Sequence, residues 1–303
     1  MSFKLTVLGA NSALPTSDKF STAQLLQVAG RSFLLDCAEG TQMQLRKNRV
    51  NFESIRGIFI THLHGDHIFG IFGLLSSFNL LGRRNHLSLF GPKGIKSIIN
   101  NFFISFDVKL NFTFEITEIQ TNDCLEIYRD KAVSVSAVAL LHRIETYGYI
   151  FRESLKDRNI RKEAIIKYSI PLNEIHKIKK GADFIADDGS VINNADLTVQ
   201  NTKSSTYAFI TDTAYNENII KHIKSVDVLY HEATFLEQFA DRAKETFHST
   251  ARQAATIAKQ AQVGKLLLGH YSARTPQIEK FKAEAIEIFL NTECATDGTT
   301  LEF

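Results

Sequence analysis

The chain has 303 residues, of which 44% are hydrophobic and 22% charged, and its formal net charge is +2. This composition can fill the core of a large globular domain, and because no low-complexity linker divides the chain we expect a single domain over residues 1–303. No segment has the uncharged apolar length that spans a bilayer, which excludes an integral membrane protein and predicts no membrane partner.

The first predicted element is a strand at residues 3–9, in which polar and apolar residues alternate. This segment lacks the long apolar stretch of a signal peptide. The three cysteines, Cys37, Cys124 and Cys294, are odd in number and scattered, which argues against a disulfide framework. Both observations predict a reducing compartment, most simply the cytoplasm.

The densest group of polar residues lies at positions 62–67, where His62, His64, Asp66 and His67 occur together. A short β-branched and aromatic stretch precedes this group and predicts a buried strand, whereas the apolar stretch 68–81 is long enough for a helix. The group therefore lies in a strand-to-helix turn, where open α/β sheets place their chemistry. Imidazole and carboxylate ligands suit Zn²⁺ and its first-row neighbours. The alternative, a solvated histidine-rich loop, does not explain this setting.

Four later strand-like segments also end at a residue that can bind or orient a metal ion. They are residues 133–141 before His142, 207–210 before Asp212, 226–230 before His231 and Glu232, and 265–268 before His270. Taken singly, such a histidine is more often structural, but the repeated pattern favours one shared site. The expected ligand sets are His62, His64 and His142 for one ion and Asp66, His67 and His270 for a second ion, with Asp212 as a bridge.

Two ligand sets that share an aspartate predict hydrolytic chemistry. Two divalent ions outweigh the charges of two aspartates, and the net positive site suits an anionic substrate. Paired ions about 3.5–4 Å apart acidify a water molecule and clamp the attacking and leaving oxygens of a displacement. Hydrolysis of a phosphodiester is the most natural reaction for such a site.

The motif at 62–67, together with His142, Asp212 and His270, resembles the signature of the metallo-β-lactamase superfamily. Other segments resemble the ribonuclease Z family of tRNA 3′-processing endonucleases, and they are residues 35–42, 91–92, 211–213, 231–234 and 248–250. The resemblance extends from Leu5 to about Tyr271. It implies an α/β fold of the αββα sandwich type, with two mixed sheets packed face to face, helices outside and the metal site at one edge. The residue pattern agrees, because apolar strands alternate with helical stretches such as residues 249–262, where apolar residues repeat at helical spacing and Ser249 or Thr250 could be the N-cap.

The resemblance also implies a zinc-dependent endoribonuclease that removes the 3′ trailer of precursor tRNA, leaving a tRNA 3′-hydroxyl and a trailer 5′-phosphate. Two Zn²⁺ ions per subunit are expected, although manganese and iron also suit these ligands. Asp66 would orient or deprotonate the attacking water, His248 would protonate the leaving 3′ oxygen, and Glu232 would hold the tautomer of His248. Asp36 is expected to accept a hydrogen bond from a ligating histidine. His231 is either a similar supporting residue or structural.

The segment 151–196 separates His142 from Asp212 and is the predicted insertion, a basic substrate arm. Nine Lys/Arg and four Asp/Glu lie between Arg152 and Lys180, so this part carries a net charge of +5 and the rest of the chain −3. This charge predicts a nucleic-acid contact. A solvated amphipathic helix, with Ile160, Ala164, Ile165 and Tyr168 on its apolar face, is a compatible alternative.

The insertion contains few apolar residues for a core of its own, so it is expected to project as a helical arm. The resemblance implies that this arm grips the tRNA body and that the enzyme is a homodimer. Recognition of folded RNA through its phosphates needs positive charge and shape rather than base contacts.

Two other functions fit parts of the pattern. A phosphodiesterase or other ester hydrolase acting on small substrates would use the same site but would not need the arm. A nucleic-acid-binding protein with an inactive site is disfavoured by the complete ligand set with His248 and Glu232. Asp212 also argues against a secreted β-lactamase, because the similar zinc β-lactamases often use cysteine there.

Overall fold

The computed structural model describes residues 3–14, 16, 18–154, 157–199, 204–275 and 277–303. The chain forms two compact units, a main unit of Met1–Glu153 with Ser205–Phe303 and a second unit of Ser154–Ser204. The predicted insertion at 151–196 overlaps the second unit, but residues 151–153 belong to a strand of the main unit. Leu155 and Lys156, also within the predicted insertion, lie outside the described residues.

The secondary-structure elements are numbered here in chain order. The strands are β1 Phe3–Gly9, β2 Ala23–Val28, β3 Arg31–Leu35, β4 Ile55–Phe59, β5 Leu87–Gly91, β6 Phe114–Glu118, β7 Cys124–Arg129, β8 Val133–Ala139, β9 Tyr147–Glu153, β10 Asn159–Ile160, β11 Phe184–Ile185, β12 Val191–Ile192, β13 Thr198–Val199, β14 Thr206–Ile210, β15 Val228–Glu232, β16 Lys265–Gly269, β17 Thr292–Cys294 and β18 Thr300–Glu302. The helices are α1 Thr41–Lys47, α2 Gly65–Ile68, α3 Ile71–Leu80, α4 Ile95–Ser105, α5 Lys162–Lys167, α6 Leu172–Lys179, α7 Asn194–Leu197, α8 Ala240–Thr246, α9 Ala251–Gln260 and α10 Ile278–Ile286.

The main unit contains two seven-stranded sheets with the same pairing pattern. The N-terminal sheet has the order β18-β1-β2-β3-β4-β5-β6, and the C-terminal sheet has the order β17-β16-β15-β14-β9-β8-β7. In each sheet, three antiparallel strand pairs at one edge are followed by three parallel ones. The prediction of two mixed sheets is therefore confirmed.

Apolar side chains join the two sheets and the helices outside them. Phe33 and Phe59 of the N-terminal sheet contact Phe151 and Tyr149 of the C-terminal sheet, with ring centroids 5.7 and 5.3 Å apart. All four are buried, and burial of each such ring is worth about 1.5–3 kcal/mol. A second apolar cluster packs α1, α3 and α4 against the N-terminal sheet, while α9 and α10 cover β16 and β17. This layering is the expected αββα sandwich.

The apolar stretch 68–81 forms two helices rather than the single predicted one. The helix α2 ends at Ile68 and α3 begins at Ile71. At the break, the Gly70 amide donates a 2.9 Å hydrogen bond to the Cys37 carbonyl, and a Cβ on Gly70 would lie 2.0 Å from the Ala38 carbonyl oxygen. The approach of this neighbouring backbone, which periodicity does not reveal, interrupts the helix.

The helix α9 follows its sequence pattern closely. The apolar positions predicted for residues 249–262 are buried, and Thr250 is the N-cap. Its side chain accepts from the Gln253 amide, and the Gln253 side chain accepts from the Thr250 amide, forming a capping box. Ser249, the other predicted cap, instead donates to the Thr213 carbonyl at 2.7 Å.

The second unit has a core of its own, so the expectation that it lacks one is wrong. Helices α5, α6 and α7 accompany two small sheets, β10–β13 and β11–β12. The core contains Ala164, Ile170, Ile178, Phe184 and Leu197. Residues far beyond the predicted amphipathic helix complete this core, and that helix ends before Pro171.

The positive charge of the second unit lies in its first part. Residues 181–199 contain Asp183, Asp187, Asp188 and Asp196 and no lysine or arginine. Within the described residues, no helix combines the length and the apolar character needed to cross a bilayer.

Candidate metal centre and active site

The predicted ligand residues follow the ends of strands in both sheets. Asp36 follows β3, the 62–67 motif follows β4, Asp212 follows β14 and His270 follows β16. Asp36, Asp212 and His270 have left-handed backbone φ values of 55°, 51° and 59°. Such a conformation is uncommon for residues with a Cβ and occurs preferentially at functional sites. The strained turns direct these side chains towards the same place.

The structure brings all seven predicted ligand residues together in two groups. In each group, the candidate ligand atoms lie within 4.8 Å of one another. The groups are His62, His64, His142 and Asp212, and Asp66, His67 and His270.

Asp212 lies between the two groups and offers one carboxylate oxygen to each. Its Oδ2 is 3.7 Å from Nε2 of His62 and 3.9 Å from Nε2 of His142. Its Oδ1 is 3.3 Å from Nε2 of His67 and 3.2 Å from Nε2 of His270. This is the geometry of a carboxylate that bridges two cations.

Hydrogen bonds to Nδ1 leave Nε2 of four histidines directed towards the site. Nδ1 of His67 lies 2.7 Å from Asp36 Oδ2, and Nδ1 of His142 donates to the Phe247 carbonyl at 3.0 Å. Nδ1 of His62 and of His270 lies at 3.0 and 2.9 Å from the hydroxyls of Thr61 and Thr234. Since each Nδ1 carries the proton, each Nε2 presents a lone pair, as a metal ligand requires.

The buried nitrogens of the site fit a bound cation. Nε2 of His67, His142 and His270 is buried without a hydrogen-bond partner in the described part of the chain, and an unsatisfied buried polar atom costs about 1–3 kcal/mol. Nε2 of His62 also faces Nδ1 of His64 at 2.8 Å. Burial lowers the pKa of His62, His64 and His142, which favours the neutral, ligating form. These nitrogen and carboxylate donors suit zinc, manganese or iron, and the chain therefore has a metal-binding site.

Asp36 contacts His67 of the second ligand group. Its carboxylate is fully buried, accepts from the Thr61 amide at 2.8 Å, and lies against Nδ1 of His67. Asp36 therefore contacts a candidate ligand as the sequence predicts. Neither Thr61 nor Thr234 was predicted as a site residue. Both lie just beyond a strand, β4 and β15, and a hydroxyl at the end of a strand beside a candidate ligand is the sequence feature that could have indicated them.

Glu232 and His248 form a second functional pair beside the ligand groups. The buried Glu232 carboxylate lies 2.8 Å from Nδ1 of His248 and accepts from the amides of Thr213 and Thr234 at 2.9 and 3.1 Å. Burial disfavours the charged form of His248, but the charge and hydrogen bond of Glu232 outweigh burial and raise its pKa to about 9. Nε2 of His248 is the nitrogen left for a substrate.

His231 occupies neither ligand group. It is buried, and its Nδ1 donates to the Glu232 carbonyl at 2.8 Å. Burial lowers its pKa. These contacts favour a structural role for His231, one of the two interpretations that the sequence leaves open.

A cavity of about 340 Å³ opens onto the site. Its walls include side chains of both ligand groups and His248, together with Phe235 and three arginines that the sequence analysis did not identify. These are Arg143, Arg242 and Arg274. An anionic substrate therefore meets positive charge around the candidate metal centre.

Comparisons with known proteins agree with this geometry. Residues 3–155 match the family model described as Anti-Pycsar protein Apyc1, so this half of the chain belongs to that sequence family. The match includes the 62–67 motif and His142 but not Asp212, His248 or His270.

Curated relatives match nearly the whole chain. The chain is 43% identical over 299 residues to the ribonuclease Z of Parabacteroides distasonis, covering 99% of this chain and 98% of the relative. It is 40% identical over 296 residues to that of Bacteroides fragilis, covering 98% and 97%. The crystal structure of human tRNase Z, short form, has a TM-score of 0.71 at 25% identity and covers 99% of this chain and 98% of the human one. The chain therefore belongs to the ribonuclease Z family, with its metallo-β-lactamase fold.

Proposed function

We propose that the chain is an endoribonuclease that removes the 3′ trailer from precursor tRNA and leaves a tRNA 3′-hydroxyl and a trailer 5′-phosphate. The observation that carries this proposal is the Glu232–His248 pair beside two ligand groups that share Asp212. The full-length similarity to ribonucleases Z, which includes the second unit, supports RNA as the substrate.

For the metal centre, we propose two Zn²⁺ ions per subunit, with manganese or iron as the other suitable metals. His62, His64 and His142 would hold one ion, Asp66, His67 and His270 the other, and Asp212 both. When bound, the ions would supply Lewis-acid activation of water and stabilise the charge that develops on the phosphate.

The side chains around this centre have separate roles in the proposed reaction. Asp66 lies on the cavity wall and orients the attacking water by accepting a hydrogen bond from it. His248 donates the proton of Nε2 to the leaving 3′ oxygen, and Glu232 fixes its tautomer and stabilises the imidazolium. Water thus adds to phosphorus and loses one proton to Asp66, which passes it to solvent, while the bond to the 3′ oxygen breaks and His248 supplies the proton that this oxygen takes up.

The second unit and an apolar surface suggest the partners. The basic residues between 154 and 180 suit the phosphates of a tRNA body. An apolar groove lined by Phe72, Ile98, Phe102 and Phe106 is exposed on α3 and α4, and such patches mark interaction sites. We propose that this surface mediates a homodimer.

A precursor tRNA substrate and free, scattered cysteines support a cytoplasmic location.

A second candidate function is hydrolysis of small phosphodiesters or other esters. It is compatible with the match to the Apyc1 family model, which ends at residue 155 and so covers almost none of the second unit, which starts at Ser154. This alternative requires the metal centre but gives the second unit no part in catalysis.

The two functions are separated by offering both substrates to the same protein. Purified protein would be incubated with a precursor tRNA that carries a 3′ trailer and, separately, with bis(p-nitrophenyl) phosphate, with and without chelator. We expect one cut at the 3′ end of the mature tRNA, its loss with chelator and its return with zinc or manganese. Hydrolysis of the small ester with intact precursor under every metal would reject the proposed function in favour of the alternative.

A further inference from the structure

The cavity beside the metal centre contains cationic side chains that no proposed step uses. Arg143, Arg242 and Arg274 line it, whereas the only carboxylates on its wall, among the described residues, are Asp66 and Asp212. Both carboxylates belong to the candidate ligand groups. Once metal ions neutralise these two carboxylates, the arginines are the charged groups of the wall that remain for an anionic substrate.

Arg143 and Arg242 both contact Glu245 of α8. Arg143 Nη2 donates to the Glu245 carbonyl at 3.3 Å, and Arg242 Nη1 lies 3.1 Å from the Glu245 carboxylate. The Arg242 and Glu245 side chains are 53% and 67% exposed, and a pair this exposed contributes little stability. An incoming phosphate can therefore displace the Glu245 carboxylate.

The same segment carries the proposed proton donor. The helix α8 ends at Thr246, Phe247 has a left-handed φ of 59°, and His248 follows. The Phe247 carbonyl accepts from Nδ1 of His142, the residue before Arg143. Arg242 and His248 lie on the same segment, residues 240–248, and Arg143 is hydrogen-bonded to this segment. In the proposed reaction His248 protonates the leaving 3′ oxygen, which belongs to the tRNA, so arginines at this segment would reach the tRNA side of the bond that is cut.

We propose that Arg143 and Arg242 clamp the backbone phosphate between the last two nucleotides of the mature tRNA. The proposal rests on the proposed function, because it takes the identity of the leaving oxygen from it. Guanidinium groups bind phosphate through paired, charge-assisted hydrogen bonds. The clamp holds the RNA chain one nucleotide upstream of the reacting phosphate.

Variants of the two arginines test the clamp on precursor tRNA. We expect R143Q and R242Q each to raise KM about tenfold with little change in kcat, as loss of a charge-assisted hydrogen bond predicts. The matched control is R129Q, because Arg129 forms a comparably exposed pair with Glu126 on β7. E245Q removes the competing carboxylate and should lower KM about twofold. Only R129Q is expected to hydrolyse bis(p-nitrophenyl) phosphate normally, and R143Q and R242Q should lose less activity on this ester than on precursor tRNA, because it has no second phosphate.

Binding without cleavage separates the clamp from the proposed function. The probe is a tRNA minihelix without trailer, with or without one neutral methylphosphonate at the phosphate before the last nucleotide. The neutral linkage should raise the Kd for the wild type at least about tenfold and should not raise it further for the double variant R143Q/R242Q, which lacks both sides of the clamp. A neutral linkage one position farther upstream is the control.

Two results overturn the clamp even if the enzyme cuts precursor tRNA. One is a wild-type Kd that does not respond to the neutral linkage or to the arginine substitutions. The other is an additional loss when the neutral linkage is combined with the double variant R143Q/R242Q. A protein that binds the minihelix as expected but leaves precursors uncut supports the clamp and contradicts the proposed function.

Discussion

Glu232 Oε1 lies 2.8 Å from Nδ1 of His248, and the Glu232 side chain is fully buried while His248 is 16% exposed. This pair places a charged imidazole at the edge of the metal centre. In the proposed reaction, His248 matters only when the leaving oxygen needs a proton.

The importance of His248 should therefore depend on the leaving group. H248A is expected to cut precursor tRNA about 10²–10⁴-fold more slowly, because general acid catalysis contributes this much. Its hydrolysis of bis(p-nitrophenyl) phosphate should change only a few-fold, since p-nitrophenolate leaves without a proton. Steady-state rates on both substrates measure this contrast. Equal losses on the two would show that His248 is structural.

The carboxylate of Glu232 should control the alkaline limit of RNA cleavage. A raised pKa keeps His248 protonated at neutral pH, and the proton donor is lost as the pH rises through that pKa, about 9. E232Q retains a hydrogen-bond acceptor but removes the charge, so the pKa falls. The alkaline limb of the single-turnover rate should therefore move to lower pH. An unchanged pH profile would remove Glu232 from this role.

Asp36 should affect one ion more than the other. It contacts His67 of the second group and no residue of the first except through Thr61. D36N should weaken the affinity for one ion about 10–100-fold, the usual effect of losing such a supporting carboxylate. Titration against a chelator with elemental analysis would count the ions. Loss of both ions together, or of neither, would contradict this assignment.

The second unit should be dispensable for chemistry but not for RNA binding. The ends of the insertion are adjacent, because the Glu153 amide donates to the Ser205 carbonyl at 2.9 Å and Arg152 pairs with Thr206. An Asn-Gly turn between Glu153 and Ser205 would therefore close a hairpin. This variant should hydrolyse the small phosphodiester at the wild-type rate and lose at least about tenfold in KM on precursor tRNA, since it lacks many phosphate contacts.

A variant that removes the positive charge of the second unit but keeps its fold is the control for this deletion. A chain with the exposed basic residues Arg161, Lys162, Lys167 and Lys180 replaced by glutamine should keep the unit and its core, because none of these side chains is buried. It should reproduce most of the loss in KM. If it cuts precursor tRNA normally while the deletion does not, the shape of the second unit and not its charge determines binding.

The clustering of the candidate ligand residues could be predicted from the sequence because the signal is local. Each candidate follows a strand, and the carboxyl ends of parallel strands meet at one edge, so the strand pattern alone predicts His142, Asp212 and His270 beside the 62–67 motif. Predictions that depended on one segment, such as the Thr250 cap of α9, were also confirmed.

Features that depend on contacts distant in the sequence could not be predicted in this way. The Phe247 carbonyl that orients His142 has no distinguishing pattern, and Arg143 and Arg242 approach each other only through the fold. The core of the second unit joins Ala164 to Leu197 across a segment with few apolar residues, so its composition predicted no core. The break at Gly70 depends on a neighbouring loop.

In the proposed reaction, water attacks the phosphate at the 3′ end of the mature tRNA. The most direct test is a single-turnover reaction with precursor tRNA in ¹⁸O-labelled water, followed by mass spectrometry of both RNA products. We expect a tRNA with a 3′-hydroxyl and a trailer whose 5′-phosphate contains one ¹⁸O atom. A 2′,3′-cyclic phosphate on the tRNA and an unlabelled 5′-hydroxyl on the trailer would contradict it.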